Sequence, residues 1–227
     1  MPMKEILIAC EESQAITKAF RKLGYNAYSC DLLPCSGGHP EWHIQGDAIA
    51  EAYSGKYDMM IAHPPCTYLA VSGARWLYNK DGSRNEERYE NQAEALDFVQ
   101  QLMNAPIEHI AIENPISVIS SHIRKPDQIV HPYMFGDKAS KSTCLWLKNI
   151  PKLIPTDIVE KGEFVEWIGK NGKKKRQPKW YYDALAKAKN PEERRTLRSK
   201  TFQGMADAIA SQWSCTCTQS LIFLPSP

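Results

Sequence analysis

KEILIACEESQAITKAFRKL, residues 4–23, joins a short apolar run to a polar turn and a helical pattern. The run from Lys4 to Cys10 is rich in isoleucine and has the length of a buried strand. Apolar residues then recur at helical spacing from Ala15 to Leu23, and Gly24 follows, where a residue that tolerates positive φ ends a helix. A strand and a helix in succession, followed by another strand, predict a parallel sheet.

The alternation of strands and helices continues through the first half of the chain. We predict a long helix at Glu86–Met103 and further strands at Asn26–Cys30, His43–Gly46, Tyr57–Ala62 and His109–Ile112. This order predicts the α/β class, as a doubly wound, Rossmann-like fold with a mostly parallel sheet. Such sheets bind ligands at the carboxyl ends of their strands, so the residues that follow these strands are candidate site residues.

The second half has weaker periodicity and more aromatic residues, proline and lysine. Thr143–Leu147 alternates as a strand does, and Phe164–Lys175 is predicted to be a hairpin because Asn171-Gly172 is a strong type I′ turn signal. Helices are predicted at Trp180–Lys189, Pro191–Arg198 and Phe202–Trp213. We divide the chain into a catalytic core at 1–150, a small basic insertion at 151–200, a helix that returns to the core at 201–213 and a tail at 214–227.

The composition fits one sizeable core and excludes a strongly charged chain. There are 227 residues, of which 43% are hydrophobic, and the formal net charge is +2. A charge this small gives no global attraction for nucleic acid, so phosphate binding must rest on a local basic cluster. No apolar run approaches the roughly 20 residues that span a bilayer, and the N-terminus lacks a signal-peptide layout. We expect a cytoplasmic protein.

The cysteine pattern argues against a disulfide framework. The chain has seven cysteines at irregular spacing, and an odd number favours reduced thiols. Cys35, His39 and His43 lie close enough in sequence to raise the question of zinc, but no second pair with metal-ligand spacing accompanies them. Cys215 and Cys217 form a lone C-x-C near the end. We predict no metal site.

The first chemical motif, His63-Pro64-Pro65-Cys66, follows the predicted strand 57–62. Cys66 is a candidate nucleophile, because a thiol is strongly nucleophilic near neutral pH once positive charge or a helix N-terminus lowers its pKa. The two prolines stiffen the turn that aims it. The alternative is a buried cysteine in an ordinary strand-end turn.

The second motif, Glu113-Asn114-Pro115, follows the predicted strand 109–112. A carboxylate at the end of a buried strand must be paired or protonated, since desolvation raises its pKa. A raised pKa suits a group that hydrogen-bonds a ring nitrogen and gives it a proton. We expect Asn114 to fix the carboxylate of Glu113. The alternative is a glutamate whose side chain reaches solvent at the sheet edge.

Together the two motifs resemble the cytosine C5-methyltransferase family, which has a Pro-Cys dipeptide after its fourth strand and a Glu-Asn dipeptide after its fifth. The resemblance implies that Cys66 adds to C6 of cytosine while Glu113 engages N3 and the exocyclic amine. Carbon C5 then accepts the methyl group of S-adenosylmethionine. The likeness covers roughly residues 4–150 and 200–213.

The resemblance also implies a cofactor site. Asp31 matches the acidic residue that binds the ribose hydroxyls, and Asp47 the one that meets the adenine amine, although Asp47 also suits a helix N-cap. The first turn departs from the family, whose members have a glycine-rich loop where this chain has Cys10-Glu11-Glu12-Ser13-Gln14. The predicted cofactor contacts are Cys10, Glu11, Ser13, Asp31, Leu32, Asp47 and Pro64.

Substrate contacts are expected on both halves of the chain. Lys138–Trp146 lies where the family has a basic motif near the target base, and the insertion interleaves basic and aromatic residues. The segment 67–88 follows the nucleophile and is predicted to be a mobile loop over the substrate. Ordinary solvated basic surface is the alternative for these lysines and arginines. The predicted substrate contacts are His63, Pro65, Asn114, Arg75, Lys141, Thr143, Lys174 and Arg176.

These expectations favour a compact, phage-type methyltransferase that modifies C5 of cytosine in DNA. Because the insertion is too short for a large recognition domain, the same chemistry on a free pyrimidine nucleotide is an alternative. A further alternative is a catalytically silent nucleotide- or cofactor-binding module, which the unusual first turn favours. The oligomeric state, the sequence specificity and the base that removes the C5 proton stay open.

Overall fold

Seven strands form one sheet in the computed structural model, which describes residues 5–169, 171–199 and 201–214. The strands are β1 (Glu5–Ala9), β2 (Asn26–Asp31), β3 (His43–Gln45), β4 (Met59–Ala62), β5 (His109–Pro115), β6 (Gln128–Val130) and β7 (Thr143–Lys148). Their order is β3-β2-β1-β4-β5-β7-β6. The five strands from β3 to β5 in this order run parallel to one another, whereas β7 runs antiparallel between β5 and β6. The predicted α/β class, with a doubly wound, Rossmann-like and mostly parallel sheet, is confirmed.

Helices cover both faces of this sheet. The α-helices among the described residues are α1 (Ala15–Lys22), α2 (Ala48–Ala52), α3 (Glu86–Met103), α4 (Ile119–His122), α5 (Lys179–Lys187), α6 (Pro191–Ser199) and α7 (Gln203–Trp213), of which α5 packs with α6 and with the separate strands Phe164–Ile168 and Lys174–Pro178. On one face Ile6 and Ile8 of β1 pack in a cluster with Phe20 of α1 and Trp213 of α7. Leu7, which points to the opposite face, belongs to a second cluster with residues of α2 and α3. None of the helices among the described residues is both long and apolar enough for a bilayer.

Helix α7 packs against the core of the sheet. Trp213 is fully buried, and its Nε1 donates to the carbonyl oxygen of Pro151 at 2.9 Å. Near the start of α7, Gly204 N donates to Asp137 Oδ2 at 3.0 Å. A Cβ at this glycine would overlap the carbonyl oxygen of Phe135, so the residue permits a close approach of helix and loop.

The predicted hairpin is a separate two-stranded sheet of β8 (Phe164–Ile168) and β9 (Lys174–Pro178). Its predicted type I′ turn is wrong. A two-residue loop at 171–172 would pair Gly169 with Lys174, but Ile168 pairs with Lys174. The loop is therefore one residue longer, and Gly172, at φ 70°, takes the left-handed position.

Two short elements, β6 and α4, were not predicted. Strand β6 has three residues and α4 has four, which is too little chain to display a period. Among the residues that the structure describes, β6 pairs only with β7, so β7 lies inside the sheet.

Candidate active site

The two motifs lie side by side because they leave neighbouring parallel strands. Ala62 of β4 pairs with Ile112 of β5, so the next residues along each strand, His63 and Glu113, are neighbours too. His63 Nδ1 lies 3.0 Å from Glu113 Oε2, and the two side chains are only 13% and 14% exposed. The ring and the carboxylate thus form a largely buried pair at the carboxyl edge of the sheet.

A second hydrogen bond ties the motifs together. Asn114 is buried, and its Nδ2 donates to the carbonyl oxygen of Pro64 at 2.8 Å. Asn114 therefore fixes the turn that carries Cys66, and His63 takes the role at Glu113 that we had expected of Asn114. Asn114 Oδ1 is buried and has no hydrogen-bond partner within the described part of the chain.

The charge state of Glu113 differs from the expectation of a raised pKa. Burial does raise the pKa of this carboxyl, but the hydrogen bond from His63 and the charge of Lys141 outweigh it, and the net shift is downward. Burial likewise lowers the pKa of His63, but the hydrogen bond to Glu113 and the charges of Glu113 and Glu11 raise it overall. The two groups therefore stabilise each other as an ion pair.

Cys66 reaches the surface beside this pair. Its carbonyl oxygen accepts hydrogen bonds from Leu69 N and Ala70 N at 3.1 and 2.9 Å, which closes a helical turn behind the thiol. Partial desolvation and the charge of Glu113 raise the pKa of the thiol, while Lys141 and Arg198 act in the opposite direction. The expected lowering of the Cys66 pKa is therefore not present in this state, although the cations that favour a thiolate are in place.

Arg198 is the residue that sequence reasoning did not assign to the site. It lies on α6, its guanidinium carbon is 4.5 Å from the centre of the Tyr181 ring, and its charge acts on Cys66. Its Nε is buried without a hydrogen-bond partner among the described residues. More than 130 residues separate Arg198 from Cys66 in the chain, and no sequence pattern links them.

The predicted cofactor residues surround the end of β1. Cys10 has a φ of 60°, and burial, followed by the charges of Asp31, Cys30 and Asp47, raises its pKa. Asp31 Oδ1 accepts a hydrogen bond from Leu33 N, and Asp47 Oδ1 accepts one from Ile49 N. Asp47 is therefore the N-cap of α2, as its alternative interpretation predicted.

The side chain of Glu11 stabilises the turn before α1, where the glycine-rich loop is absent. Its buried carboxylate accepts hydrogen bonds from Ile16 N at 2.7 Å, Thr17 N at 3.2 Å and Thr17 Oγ1 at 2.7 Å. The side chain thus covers the N-terminus of α1, where its charge also complements the helix dipole. A contact of this carboxylate with a cofactor stays a prediction.

The loop that follows β2 packs against the turn before α1. Gln14, which is fully buried, donates from Nε2 to Ser29 Oγ and to the carbonyl oxygen of His39, and its Oε1 accepts from His39 N and Cys35 Sγ. Gly37 fits against Ser13, since a Cβ at Gly37 would lie 2.5 Å from the Ser13 carbonyl oxygen. The three residues that raised the question of zinc are thus engaged in this loop: Cys35 with Gln14, His39 with Glu41, and His43 with Ser29 and Leu33.

The predicted substrate residues fall into two groups. Lys141 acts electrostatically on Glu113, His63 and Cys66, and Thr143 is fully buried opposite Pro115. The exposed Pro65 directly precedes Cys66. The second group is Arg75, Lys174 and Arg176, and each belongs to a local structure. Arg75 lies over Trp76, Lys174 pairs with Glu166 at 2.6 Å, and Arg176 lies over Phe164. Among the described residues, no hydrogen bond or ion pair joins these three side chains to the Cys66 turn.

The segment predicted as a mobile loop is anchored at several points. It contains a 3-10 helix at Val71–Leu77, Val71 N donates to Ile116 O, and Arg88 Nη2 donates to Thr67 O at 2.6 Å. Trp76 is 56% exposed on it. Cys215, Cys217 and all of the predicted tail 214–227 except residue 214 lie outside the described residues.

Comparison with protein-family models and with curated proteins finds no match. Among solved structures, the chain is similar to an E. coli protein described as a candidate DNA modification methyltransferase encoded within a prophage. The TM-score is 0.44 at 12% sequence identity, and the match covers 69% of this chain and 52% of that chain. This chain thus spans about half the length of that protein, and its fold is defined by its own strand order and register.

Proposed function

We propose that this protein is a methyltransferase that uses S-adenosylmethionine to methylate C5 of cytosine in DNA through a covalent Cys66 adduct. One observation carries the proposal: the His63–Glu113 contact of 3.0 Å and the Asn114–Pro64 hydrogen bond of 2.8 Å join the two motifs into one site. A thiol and a carboxylate that interact electrostatically are the two groups that this chemistry requires.

The reaction assigns one task to each of these groups. The Cys66 thiolate attacks C6, and Glu113 hydrogen-bonds N3 and the exocyclic amine, where it supports the charge that develops at N3. S-adenosylmethionine, when bound, supplies the electrophilic methyl group that C5 acquires. A base removes the C5 proton, and Cys66 then leaves.

The edge formed by β1, β2 and α2 fits this cofactor. Asp31 and Asp47 each use Oδ1 for a backbone N–H, which leaves Oδ2 as an acceptor for ribose hydroxyls and the adenine amine. Leu32, at 75% exposure, offers apolar surface next to Asp31. The backbone of Cys10 and Ser13 and the Pro64 ring complete the proposed contacts.

DNA is the substrate that the local charges favour. Lys141 and Arg198 bring positive charge to Cys66, and the anchored segment 67–88 exposes Trp76 beside Arg75. Cations neutralise phosphates and aromatic rings stack on unpaired bases, and a cytosine in a duplex must leave the helix to reach the thiol. We propose the insertion 151–200 as a short recognition element on the core 1–150.

A mechanism-based probe tests the proposal. We expect DNA that contains 5-fluorocytosine, with S-adenosylmethionine, to form a covalent adduct at Cys66 that mass spectrometry detects, because fluorine at C5 blocks the elimination. Cys66→Ser should form no adduct and no product but still bind the cofactor in calorimetry, whereas Cys35→Ser should behave as the unmodified protein. Turnover by Cys66→Ser, or no binding of S-adenosylmethionine, would contradict the proposal.

The same chemistry on a free pyrimidine nucleotide is a second candidate. It is favoured by the hairpin, where Lys174 and Arg176 already pair with Glu166 and Phe164. Titration with duplex DNA distinguishes the two substrates, since binding to DNA should weaken steeply with salt. Adduct formation with 5-fluorodeoxycytidine monophosphate but not with DNA would favour the nucleotide.

A further inference from the structure

The buried pair at the ends of β4 and β5 contains a histidine that the proposed chemistry has not yet used. His63 Nδ1 contacts Glu113 Oε2 at 3.0 Å, so one oxygen of the carboxylate is held while Oε1 is left for a ligand. His63 Nε2 is buried, and no hydrogen-bond partner for it exists among the described residues. A proton on that nitrogen would therefore need an acceptor from water or from a bound ligand.

The charges around His63 favour a protonated ring. Three charged groups act on it: Glu113 from β5, Glu11 from the turn after β1 and Lys141 from the segment before β7. Two carboxylates thus oppose one ammonium group. Since each unit of opposite charge within a few ångströms favours the charged form of a titratable group, the site retains a proton next to Glu113.

We propose that His63 is a positioning residue. Its ring holds a proton next to Glu113, and Glu113 can therefore act as the acid toward the substrate ring. This inference rests on the proposed function. It resolves a difficulty of the site, because a carboxylate that is ionised in the free protein cannot by itself protonate a ring nitrogen. The pair as a unit has the proton that Glu113 alone lacks.

The step starts from the Cys66 thiolate, whose proton has passed to solvent, and the proton that N3 needs comes from the pair. When the Sγ–C6 bond forms, the C5=C6 electron pair moves to the C4–C5 bond and the C4=N3 pair moves onto N3. N3 takes from Glu113 Oε2 the proton that His63 Nδ1 delivers to that oxygen, while Oε1 accepts from the exocyclic amine. The pair is then left with a negative charge, which Lys141 offsets. When C5 takes the methyl group, the C4=C5 pair forms the new bond and the C4=N3 bond returns, so N3 gives its proton back to the pair. A base then takes the C5 proton, the C5=C6 bond forms again and the Sγ–C6 bond breaks.

Two substitutions separate proton storage from hydrogen bonding. His63→Gln keeps a donor for Glu113 but cannot titrate, and His63→Leu has neither property. In single-turnover methylation we expect the rate of the unmodified protein to fall as the pH rises through the pKa of His63. His63→Gln should be at least about tenfold slower at pH 7 and should lack this decline, a loss that corresponds to about 1.4 kcal/mol. A rate and pH profile equal to those of the unmodified protein would overturn the inference.

An NMR titration tests the pair without reference to activity. With histidine labelled at Cε1, we expect His63, assigned by the signal that His63→Gln lacks, to titrate above its ordinary pKa of 6.5. Glu113→Gln should lower the pKa of His63 by at least about one unit, because the hydrogen bond and the charge of Glu113 then no longer oppose the effect of burial.

The two proposals fail in different ways. If the fluorinated DNA forms its adduct but His63 titrates at or below its ordinary pKa, the role of His63 is wrong and the methyltransferase stands. If His63 and Glu113 titrate together but no adduct forms with DNA or nucleotide, the proposed function is wrong and the paired acid stands only as a structural feature.

Discussion

At the scale of single residues, Cys66 is subject to opposing charges. Burial and then the charge of Glu113 raise the pKa of its thiol, and they outweigh Lys141 and Arg198, which lower it. The free protein therefore keeps the thiol protonated, and any event that neutralises Glu113 favours the thiolate. Nucleophile and acid are coupled through space, so the state of one sets the reactivity of the other.

The reactivity of Cys66 should follow these charges. We expect Glu113→Gln to speed alkylation of Cys66 by iodoacetamide at pH 7.5 by roughly two- to tenfold, since one pKa unit changes the thiolate fraction about tenfold. Lys141→Met should slow it by a similar factor. Peptide mass spectrometry measures the rate, with Cys35 in the same protein as the internal control. Equal rates in all three proteins would show that Glu113 and Lys141 do not act on the thiol.

The His63–Glu113 pair should make stability depend on pH. The raised pKa of His63 means that its contribution is complete below 6.5 and is lost as the pH rises through the folded-state pKa. The lowered pKa of Glu113 gives a contribution that is present above 4.5 and is lost as the pH falls through its folded-state pKa. The pair is therefore most stabilising between about pH 5 and 6.5.

Urea unfolding of the unmodified protein and His63→Gln measures this effect. The difference in their free energies of unfolding should be larger at pH 5.5 than at pH 8.5 by about 1 kcal/mol, since one pKa unit corresponds to about 1.4 kcal/mol. A difference that does not vary with pH would mean that His63 has the same charge in the folded and unfolded states.

At the scale of elements, α1 depends on a side chain that is not its N-cap residue. Gln14 holds the N-cap position in a left-handed conformation without capping, and Glu11 binds the first N–H groups instead. We expect Glu11→Ala to destabilise the protein by about 1–3 kcal/mol, because buried N–H groups of Ile16 and Thr17 lose their acceptor. Thermal unfolding measures the loss, and Glu12→Ala is the control, expected within about 0.5 kcal/mol.

The start of α7 is a second point of close contact. Gly204→Ala should destabilise the protein by about 1–3 kcal/mol, because the new methyl group meets the rigid backbone of Phe135. Asp207→Ala, at an exposed position of the same helix, should change the free energy of unfolding by less than about 0.5 kcal/mol. If the two variants unfold alike, the helix must shift away from the loop at little cost.

Sequence patterns predicted the long elements and missed contacts that only the fold creates. The helix Glu86–Met103 was predicted with the bounds that the structure has, since 18 residues display a full pattern. The pairing of His63 with Glu113 could have been predicted, because these residues follow two strands that are neighbours in the sheet. Arg198 was not, since packing of α6 near Cys66 leaves no trace in local sequence.

At the scale of the whole molecule, charge is local and its net value is small. A net charge of +2 coexists with a hairpin that exposes Lys173 and Lys175 in addition to the paired Lys174. If the insertion contacts DNA, these exposed lysines meet phosphates and make binding depend on salt. The core would then carry the catalytic residues, and the insertion would bind the DNA.

Replacing Lys173 and Lys175 with glutamine should test this division. We expect weaker DNA binding for all sequences alike. The slope of log K against log salt should fall by about one for each phosphate that the variant no longer neutralises. Fluorescence anisotropy across a salt series measures both effects, and thermal unfolding should be unchanged. An unchanged slope would place the DNA on another surface of the molecule.

The carboxylate of Glu11 also has a consequence for which cofactors this sheet admits. Dinucleotide-binding folds leave the amide groups of the first helix bare, and a pyrophosphate occupies them. Here Ile16 N and Thr17 N already bind an internal anion. A cofactor that bound here by its phosphates would meet like charge where it needs bare amides. The occupied amides thus support the proposal of S-adenosylmethionine, an adenosine derivative without phosphates.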